Sequence, residues 1–210
     1  MKIGVIQAST RTDINQLLFE SVKKAAGSHH EVINFGIFSG ETVNYSYVEV
    51  AVMISLLIET GAIDFVVSGC SSGQGMMMAC NSLPGLRAGF IQTPQDAFLF
   101  GRINHGNVAS LALGLNFGWS GELNLQYTLN ELFHGEFDIG YPPEAADRKR
   151  QEVQLFLELN KLTKKSFLDI IDVLDSRLLS KVLERKNFTD YLFKYGNNQA
   201  LLTQLHTFKN

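Results

Sequence analysis

Five short apolar segments, each followed by small polar residues and then by a helical pattern, recur along the first two thirds of this chain. The segments cover residues 2–7, 31–35, 64–68, 87–91 and 108–114. The helices between and after them are predicted at 14–26, 48–60, 74–81, 95–101 and 119–133. Strands that alternate with helices require right-handed crossovers, which give a parallel sheet with helices on both faces. The pattern predicts an α/β fold with a three-layer, doubly wound, mostly parallel and Rossmann-like sheet of about five strands.

The character of the sequence changes after Gly140-Tyr141-Pro142-Pro143. The rest of the chain has one glycine, no proline, and leucine and phenylalanine at helical spacing. Three further helices are predicted there, at about 144–160, 165–182 and 188–206. We therefore expect an α/β domain at 1–147 and a helical C-terminal extension at 148–210.

Composition and charge restrict the class of function. The first 147 residues carry 6 Lys and Arg against 14 Asp and Glu, and the remainder carries 12 against 7. A basic nucleic-acid surface is therefore not expected on the α/β part. No apolar run approaches the roughly 18 residues that span a bilayer. Cys70 and Cys80 have no companion ligand motif, which argues against a disulfide framework or a metal site. We expect a cytoplasmic protein without nucleic-acid or membrane partners.

Ligands of such sheets bind beyond the carboxyl ends of the strands. We expect three polar loops at that edge: residues 7–13, 69–75 and 101–107. The middle loop, Gly69-Cys70-Ser71-Ser72-Gly73-Gln74-Gly75, joins a valine-rich strand to a helix. Its glycines allow close backbone approach, and consecutive N–H groups at a helix N-terminus form an anion site. That anion is either a phosphate or the oxyanion of an enediolate.

Cys70 stands at the predicted strand end, beside a helix N-terminus. This setting favours the thiolate, which is able to act as a general base on a carbon-bound proton. The local pattern leaves a second interpretation open, a buried structural thiol. A P-loop is not expected because no Gly-Lys-Ser/Thr follows, and a dinucleotide fingerprint belongs after the first strand rather than the third.

The stretch from Gly69 to Ala88 resembles the ribose-5-phosphate isomerase B and galactose-6-phosphate isomerase family. That family's pattern is Cys-Gly-Thr/Ser-Gly-x-Gly, a helix, Asn-Lys, and then Gly-Ile/Val-Arg-Ala. Its next motif, His-Asn-Asp-x-Asn-Val, is similar to Ile103-Asn104-His105-Gly106-Asn107-Val108. The order of strands and helices is similar over roughly residues 1–150.

The resemblance implies a reversible aldose–ketose isomerisation of a phosphorylated sugar through an enediolate, with no metal or organic cofactor. Cys70 would be the base that moves the proton between C1 and C2. Ser72 would assist proton movement at a sugar oxygen, and Asn104 would hydrogen-bond the enediolate or a hydroxyl. The N–H groups of the loop would hold the enediolate, which makes the loop's substrate-binding residues Ser71, Gly73, Gln74 and Gly75.

Two family histidines are replaced in this chain. The family's Asp-His after the first strand is Ala8-Ser9 here, and Arg11 is the expected replacement as phosphate ligand. The family's ring-opening histidine corresponds to Ile103, which leaves His105, two positions later, as the candidate.

Further positions are similar to the family's substrate contacts. The family's Asp-Tyr-Pro corresponds to Asn44-Tyr45-Ser46, so Tyr45 is expected to stack on or bond the sugar. The paired phosphate arginines of the family are loosely similar to Arg148 and Arg150. Family members are dimers or tetramers with sites near subunit interfaces, which implies a homodimer or homotetramer here.

Three functions follow from these observations. The favoured one is a sugar-phosphate aldose–ketose isomerase. The alternative is a non-catalytic sugar-phosphate-binding regulatory protein, because histidine is missing at positions 9 and 103. A nucleotide or flavin binder that uses the same loop is the third, although the chain lacks the matching fingerprints.

Overall fold

Five parallel strands form one sheet in the described part of the chain. The structure is a computed structural model that describes residues 1–115 and 117–209. The strands are β1 (Lys2–Gln7), β2 (Glu31–Gly36), β3 (Phe65–Cys70), β4 (Ala88–Ile91) and β5 (Val108–Ala112). Their order in the sheet is β2-β1-β3-β5-β4, and every neighbouring pair is parallel. The predicted doubly wound α/β sheet is confirmed.

Helices follow the strands as the sequence pattern predicted. They are α1 (Asn15–Ala26), α2 (Tyr47–Glu59), α3 (Gln74–Asn81), α4 (Pro94–Ile103) and α5 (Gly121–Leu132). Two of them begin with capping boxes, α2 at Ser46 with Glu49 and α4 at Thr93 with Asp96. Such reciprocal hydrogen bonds satisfy the first N–H groups of a helix and fix where it starts.

Side chains of the strands alternate between two hydrophobic cores. Phe65 and Val67 face a core built with α1, α4 and α5, whereas Val66 and Cys70 face a second core built with α2 and α3. This two-residue period is the expected result of a pleated strand that is buried on both faces.

Residues 146–209 form five α-helices, so the prediction of three was wrong. They are α6 (Ala146–Thr163), α7 (Phe167–Ile170), α8 (Ser176–Leu183), α9 (Lys186–Tyr195) and α10 (Gln199–Lys209). The expected 188–206 helix is divided at Gly196, whose extended backbone ends α9, and the expected 165–182 helix is divided where Asp175 caps the start of α8. Side chains of this type hydrogen-bond the backbone N–H groups of a first turn, and they begin helices more readily than they continue them. None of the helices within the described ranges is long and apolar enough to cross a membrane.

The middle of helix α2 is buried on all sides. Residues 50–57 are all buried, because α2 lies between the sheet and the helices α7 to α10. Phe167, Phe188 and Leu192 of those helices belong to the same core cluster as α2 and β3. A helix that is apolar all round needs cover on every side, and the C-terminal helices provide the outer cover.

The carboxyl ends of β1, β2 and β3 lead into the loops at 8–13, 37–46 and 71–73. The expectation that the loop at 101–107 shares this edge was wrong. This loop joins α4 to the start of β5, so it lies at the amino end of the sheet. In a parallel sheet every helix-to-strand connection returns the chain to the amino edge.

The shared core predicts that the C-terminal helices contribute directly to the stability of the α/β part. Phe188→Ala, at a fully buried position of α9, is expected to lower the free energy of unfolding by about 3–5 kcal/mol because it leaves a cavity. Leu162→Ala, at an 82% exposed position of α6, is the control and is expected to change it by less than about 0.5 kcal/mol. Urea denaturation measures both, and a negligible effect of Phe188→Ala would contradict the shared core.

Candidate active site

Cys70 lies at the last position of β3, where the strand opens into the glycine loop. The residue is 8% exposed, and it belongs to the same core cluster as Tyr45 and Met76. Its carbonyl accepts a hydrogen bond from Leu113 N at 3.0 Å, which continues the pairing of β3 with β5. The other cysteine, Cys80, is fully buried on α3, and burial raises the pKa of its thiol to about 12. Cys80 therefore stays protonated at neutral pH, and only Cys70 stands at a strand tip.

The loop after Cys70 turns its carbonyls toward the protein. The carbonyl of Ser71 accepts from Gly114 N at 2.9 Å and Leu115 N at 2.8 Å. The carbonyl of Gly73 accepts from Ser110 Oγ at 2.7 Å. Over the described part of the chain, the N–H groups of residues 71–75 have no acceptor in the protein. The loop and the first turn of α3 thus present a row of free donors at a helix N-terminus, where the dipole favours an anion.

Gly73 is required by the path of this loop. Its φ is +74°, a value that side-chain-bearing residues rarely adopt. A Cβ at this position would lie 2.6 Å from the ring of Phe90 and 2.8 Å from the carbonyl carbon of Leu111. The close approach of the loop to β4 and β5 therefore depends on glycine.

Arg11 lies beside the loop, as the sequence predicted. Its Nη1 donates to Leu113 O, and a Cβ placed on Gly114 would be 3.1 Å from both Arg11 Nη1 and Ser71 Cα. The same guanidinium forms a bidentate ion pair with Asp13, with Nε–Oδ1 at 3.1 Å and Nη2–Oδ2 at 3.0 Å. The Arg11 hydrogen bond lowers the pKa of the Asp13 carboxyl. Arg11 is thus held at the carboxyl edge, although part of its charge is neutralised by Asp13.

Tyr45 closes the site on the side of β1. It is 4% exposed, its N donates to Ser9 Oγ at 2.7 Å, and its carbonyl accepts from Ser9 N at 2.9 Å. Tyr47, two residues later, places its ring 3.5 Å from the Cβ position of Gly75. Ser9 and Tyr47 were not identified from the sequence, because their role depends on contacts between loops that follow different strands.

Asn104 and His105 lie apart from this cluster within one chain, at the amino end of the sheet. Asn104 is the C-cap residue directly after α4 and lines a cleft of about 790 Å³ together with Arg87, Lys149 and Lys164. His105 pairs through Nδ1 with Asp138 Oδ2 at 2.6 Å. We call this group the amino-end cluster; it consists of Arg87, Asn104, His105, Asp138, Lys149 and Arg150.

The two C-terminal arginine candidates lie on α6. Arg150 pairs with Asp147, donates to Ile139 O at 2.6 Å, and lines a small cleft of about 190 Å³ next to His105. Arg148 is exposed and pairs with Glu152. The structure thus brings Arg150, but not Arg148, against His105. Asp138, the partner of His105, was not identified because a single aspartate in a loop has no distinguishing sequence signal.

The structure groups the remaining loop residues with Cys70. Ser71 and Gln74 are exposed, and Ser72, whose hydroxyl makes no hydrogen bond within the described residues, is half-buried. Across the same ranges no group of three or more His, Cys, Asp or Glu side chains is placed to hold a metal ion. The loop offers one thiol, two hydroxyls and several amide donors, a set suited to proton transfer next to a developing oxyanion.

Comparison with known proteins identifies relatives of the whole chain. Residues 3–133 match the family described as Ribose/Galactose Isomerase. A 4-deoxy-L-threo-5-hexosulose-uronate ketol-isomerase, solved in complex with a tartrate, is 33% identical with a TM-score of 0.94, and the match covers 99% of both chains. A ribose-5-phosphate isomerase from Vibrio parahaemolyticus is 30% identical with a TM-score of 0.93, again over 99% of both chains.

A shorter structure shares the fold over most of this chain. The type B ribose 5-phosphate isomerase of Trypanosoma cruzi is 17% identical with a TM-score of 0.64, and the match covers 77% of this chain and 99% of the other. The search of curated protein sequences gave no match. The family match and the two full-length relatives together show that this chain belongs to the ribose/galactose isomerase family and is a sugar isomerase, an intramolecular oxidoreductase that interconverts aldose and ketose.

Proposed function

We propose that the chain isomerises a phosphorylated sugar through an enediolate, with Cys70 as the base and the 71–75 loop as the anion hole. The observation that carries this proposal is the position of Cys70 at the tip of β3, directly before a row of unpaired N–H groups. Preorganised amide donors of this kind stabilise negative charge that develops on a carbonyl oxygen.

The proposed step conserves protons and electrons. The Cys70 thiolate takes the proton from C2 of the open-chain aldose, and the electron pair of that C–H bond forms the C1–C2 double bond. The carbonyl electrons move onto O1, and the loop N–H groups donate hydrogen bonds to the oxyanion that results. Ser72 assists proton movement between the sugar oxygens, and the Cys70 thiol returns its proton to C1. The product is the ketose, with the thiolate restored.

Arg11 is the proposed cationic contact at this edge. It lies against Ser71 and Gly114 and is 17% exposed, so an incoming anion meets its guanidinium beside the loop. A phosphate would compete with Asp13 for the same N–H donors of the Arg11 guanidinium. Tyr45 and Tyr47 border the opposite side of the loop.

We further propose that two copies of the chain complete each site. Cys70 and Arg11 lie at the carboxyl edge of the sheet, whereas the amino-end cluster lies at the other. Within a single chain these two groups are too far apart to form one site. They come together in a symmetric dimer in which the amino-end cluster of one copy lies against the 71–75 loop of the other. In that assembly Asn104 contacts the enediolate, and Asp138 holds the ring of His105 in place. Arg150 then adds a second cation for the phosphate.

A sugar acid is the second candidate substrate. The 33% identical relative is a ketol-isomerase of a hexosulose-uronate, and position 103 is isoleucine where the family has its ring-opening histidine. An open-chain substrate needs no ring opening, and a carboxylate engages the same arginines as a phosphate. Assays with ribose 5-phosphate, galactose 6-phosphate and 4-deoxy-L-threo-5-hexosulose-uronate distinguish the two classes.

Cys70→Ala is expected to lower kcat by about 10²–10⁴-fold, the usual contribution of a general base. NMR in D₂O on the best substrate of the panel measures exchange at C1 and C2, and circular dichroism checks folding. Cys80→Ala is the matched control and is expected to keep kcat, since Cys80 is buried away from the loop. Full activity of a folded Cys70→Ala protein would remove Cys70 from the mechanism.

Gly73→Ala is expected to distort the anion hole, because the new methyl group meets Phe90 and Leu111 at a positive φ. The strain is expected to cost about 1–3 kcal/mol of stability and to reduce kcat/KM at least roughly tenfold. Gly118→Ala is the control, since nothing lies within 4 Å of its Cβ position. Equal kcat/KM values for the two variants would show that the loop does not hold the transition state.

Subunit complementation tests the shared site. Cys70→Ala and Asn104→Ala proteins are each expected to be nearly inactive alone. After unfolding and refolding as an equal mixture, half of the dimers contain one intact site, so activity is expected to recover to about a quarter of wild type. The control is an equal mixture of Cys70→Ala with Cys70→Ser. If the first mixture stays as inactive as the second, each site is made by one chain.

A further inference from the structure

Two basic side chains near the C-terminus reach across the molecule to the segment that borders the 71–75 loop. We call residues 35–49 the Tyr45 segment; it runs from the end of β2 to the first turn of α2. Arg185 and Lys181, from α8 and the residues that follow it, both contact this segment.

Arg185 is a buried anchor, with only 6% of its side chain exposed. Its Nη2 donates to Phe35 O at 2.7 Å and to Glu41 Oε1 at 2.9 Å, and Nη1 completes the pair with Glu41. Glu41 in turn accepts from Phe38 N at 2.7 Å. The guanidinium carbon lies 5.2 Å from the centre of the Tyr45 ring, within cation–π range. One arginine therefore ties the start of the segment to its middle.

Lys181 holds the other end of the segment. Its Nζ donates to Glu49 Oε1 at 2.5 Å and lies 5.4 Å from the centre of the Tyr45 ring. Glu49 is the carboxylate of the capping box at Ser46, which starts α2. The cations of Arg185 and Lys181 thus both lie near the Tyr45 ring. Lys181 also holds Glu49, whose capping box starts α2 just after Tyr45.

The Tyr45 segment bridges the ends of β1 and of β3, the strand that carries Cys70. Tyr45 is paired through its backbone to Ser9, beyond the end of β1, and the Tyr47 ring lies against Gly75, beyond the end of β3. The backbone between these two tyrosines bridges the ends of adjacent strands, and Tyr45 shares a buried cluster with Cys70. We therefore expect displacement of this segment to expose the thiol.

Both carboxylates of the anchors stay ionised at neutral pH. Burial raises the pKa of Glu41 and of Glu49, but hydrogen bonds from Arg185 to Glu41 and from Lys181 and Ser46 to Glu49 outweigh it, so each pKa lies below the usual value for glutamate. A lowered carboxyl pKa contributes stability that is present above the unfolded-state pKa and is lost as the pH falls through the folded-state pKa. The ion pairs are therefore intact across the neutral range.

We propose that Lys181 and Arg185 are positioning residues, which fix the Tyr45 segment over Cys70 and thereby make the C-terminal helices part of the catalytic machinery. The effect on catalysis rests on the proposed function of Cys70, whereas the effect on segment position does not. Neither residue reaches the sugar; each acts through Tyr45 and Tyr47.

Thiol labelling tests the position of the segment without a substrate. Iodoacetamide modifies the 8% exposed Cys70 faster when the segment opens, and it modifies the fully buried Cys80 only when α3 or the whole chain unfolds. Lys181→Met and Glu41→Gln are each expected to speed Cys70 labelling about tenfold while Cys80 labelling stays unchanged, as resolved by peptide mass spectrometry. Lys181→Arg keeps the ion pair and is expected to restore the wild-type rate.

Arg177→Met is the matched control on the same helix. Its side chain is 90% exposed and pairs with Asp175 at the surface, so both cysteines are expected to label at wild-type rates. An unchanged Cys70 rate in Lys181→Met and Glu41→Gln overturns the proposal. A parallel rise at Cys70 and Cys80 overturns it as well, because the anchors would then act on global stability alone.

Kinetics add a second readout. In Lys181→Met, KM for the best sugar of the panel is expected to rise about tenfold while kcat is nearly unchanged. The reason is that displacement of the Tyr45 segment weakens the binding of the substrate and of the transition state equally. Tyr45→Leu removes the ring that both cations contact. Combined with Lys181→Met it is expected to raise KM no more than the larger single substitution does, and an additive rise in KM counts against the proposal. A wild type that isomerises no sugar of the panel would reject the proposed function but leave the labelling result in place.

Discussion

The burial of α2 between the sheet and the C-terminal helices is the constraint on which the rest of the structure depends. Residues 50–57 are buried on every side, so the free energy gained from this helix requires a second layer of apolar side chains outside it. Phe167, Phe188 and Leu192 supply that layer. The same packing places Lys181 and Arg185 at the start of α2, next to the site. Stability and site geometry therefore share one set of helices.

Parallel topology explains why the candidate residues form two groups. Strand-to-helix loops collect at the carboxyl edge and bring Cys70, Arg11 and Tyr45 together, whereas the helix-to-strand loop with Asn104 and His105 returns to the amino edge. A site that needs both groups has to be completed by a second copy. The geometry of a single chain is thus the physical reason for the dimer that we propose.

Much of this could be predicted from periodicity and glycine placement. The five strands, the helices between them and the position of Cys70 at a strand tip follow from local pattern, because apolar runs and turn residues act over a few positions. The predicted number of C-terminal helices was wrong, since Asp175 starts a new helix within one apolar repeat and the extended Gly196 ends a helix within the next. The predicted position of Asn104 was also wrong, because its loop connects a helix to the following strand and such connections return to the amino edge of a parallel sheet.

The sequence by itself determined the sheet, the glycine loop and the thiol before it, because each depends on residues that are neighbours along the chain. Only the tertiary structure decided which side chains surround that thiol. Tyr45 meets Ser9 from 36 positions away, and Arg185 meets Glu41 from 144 positions away. Contacts at such separations are made by packing α2 between two layers, and no local pattern records them.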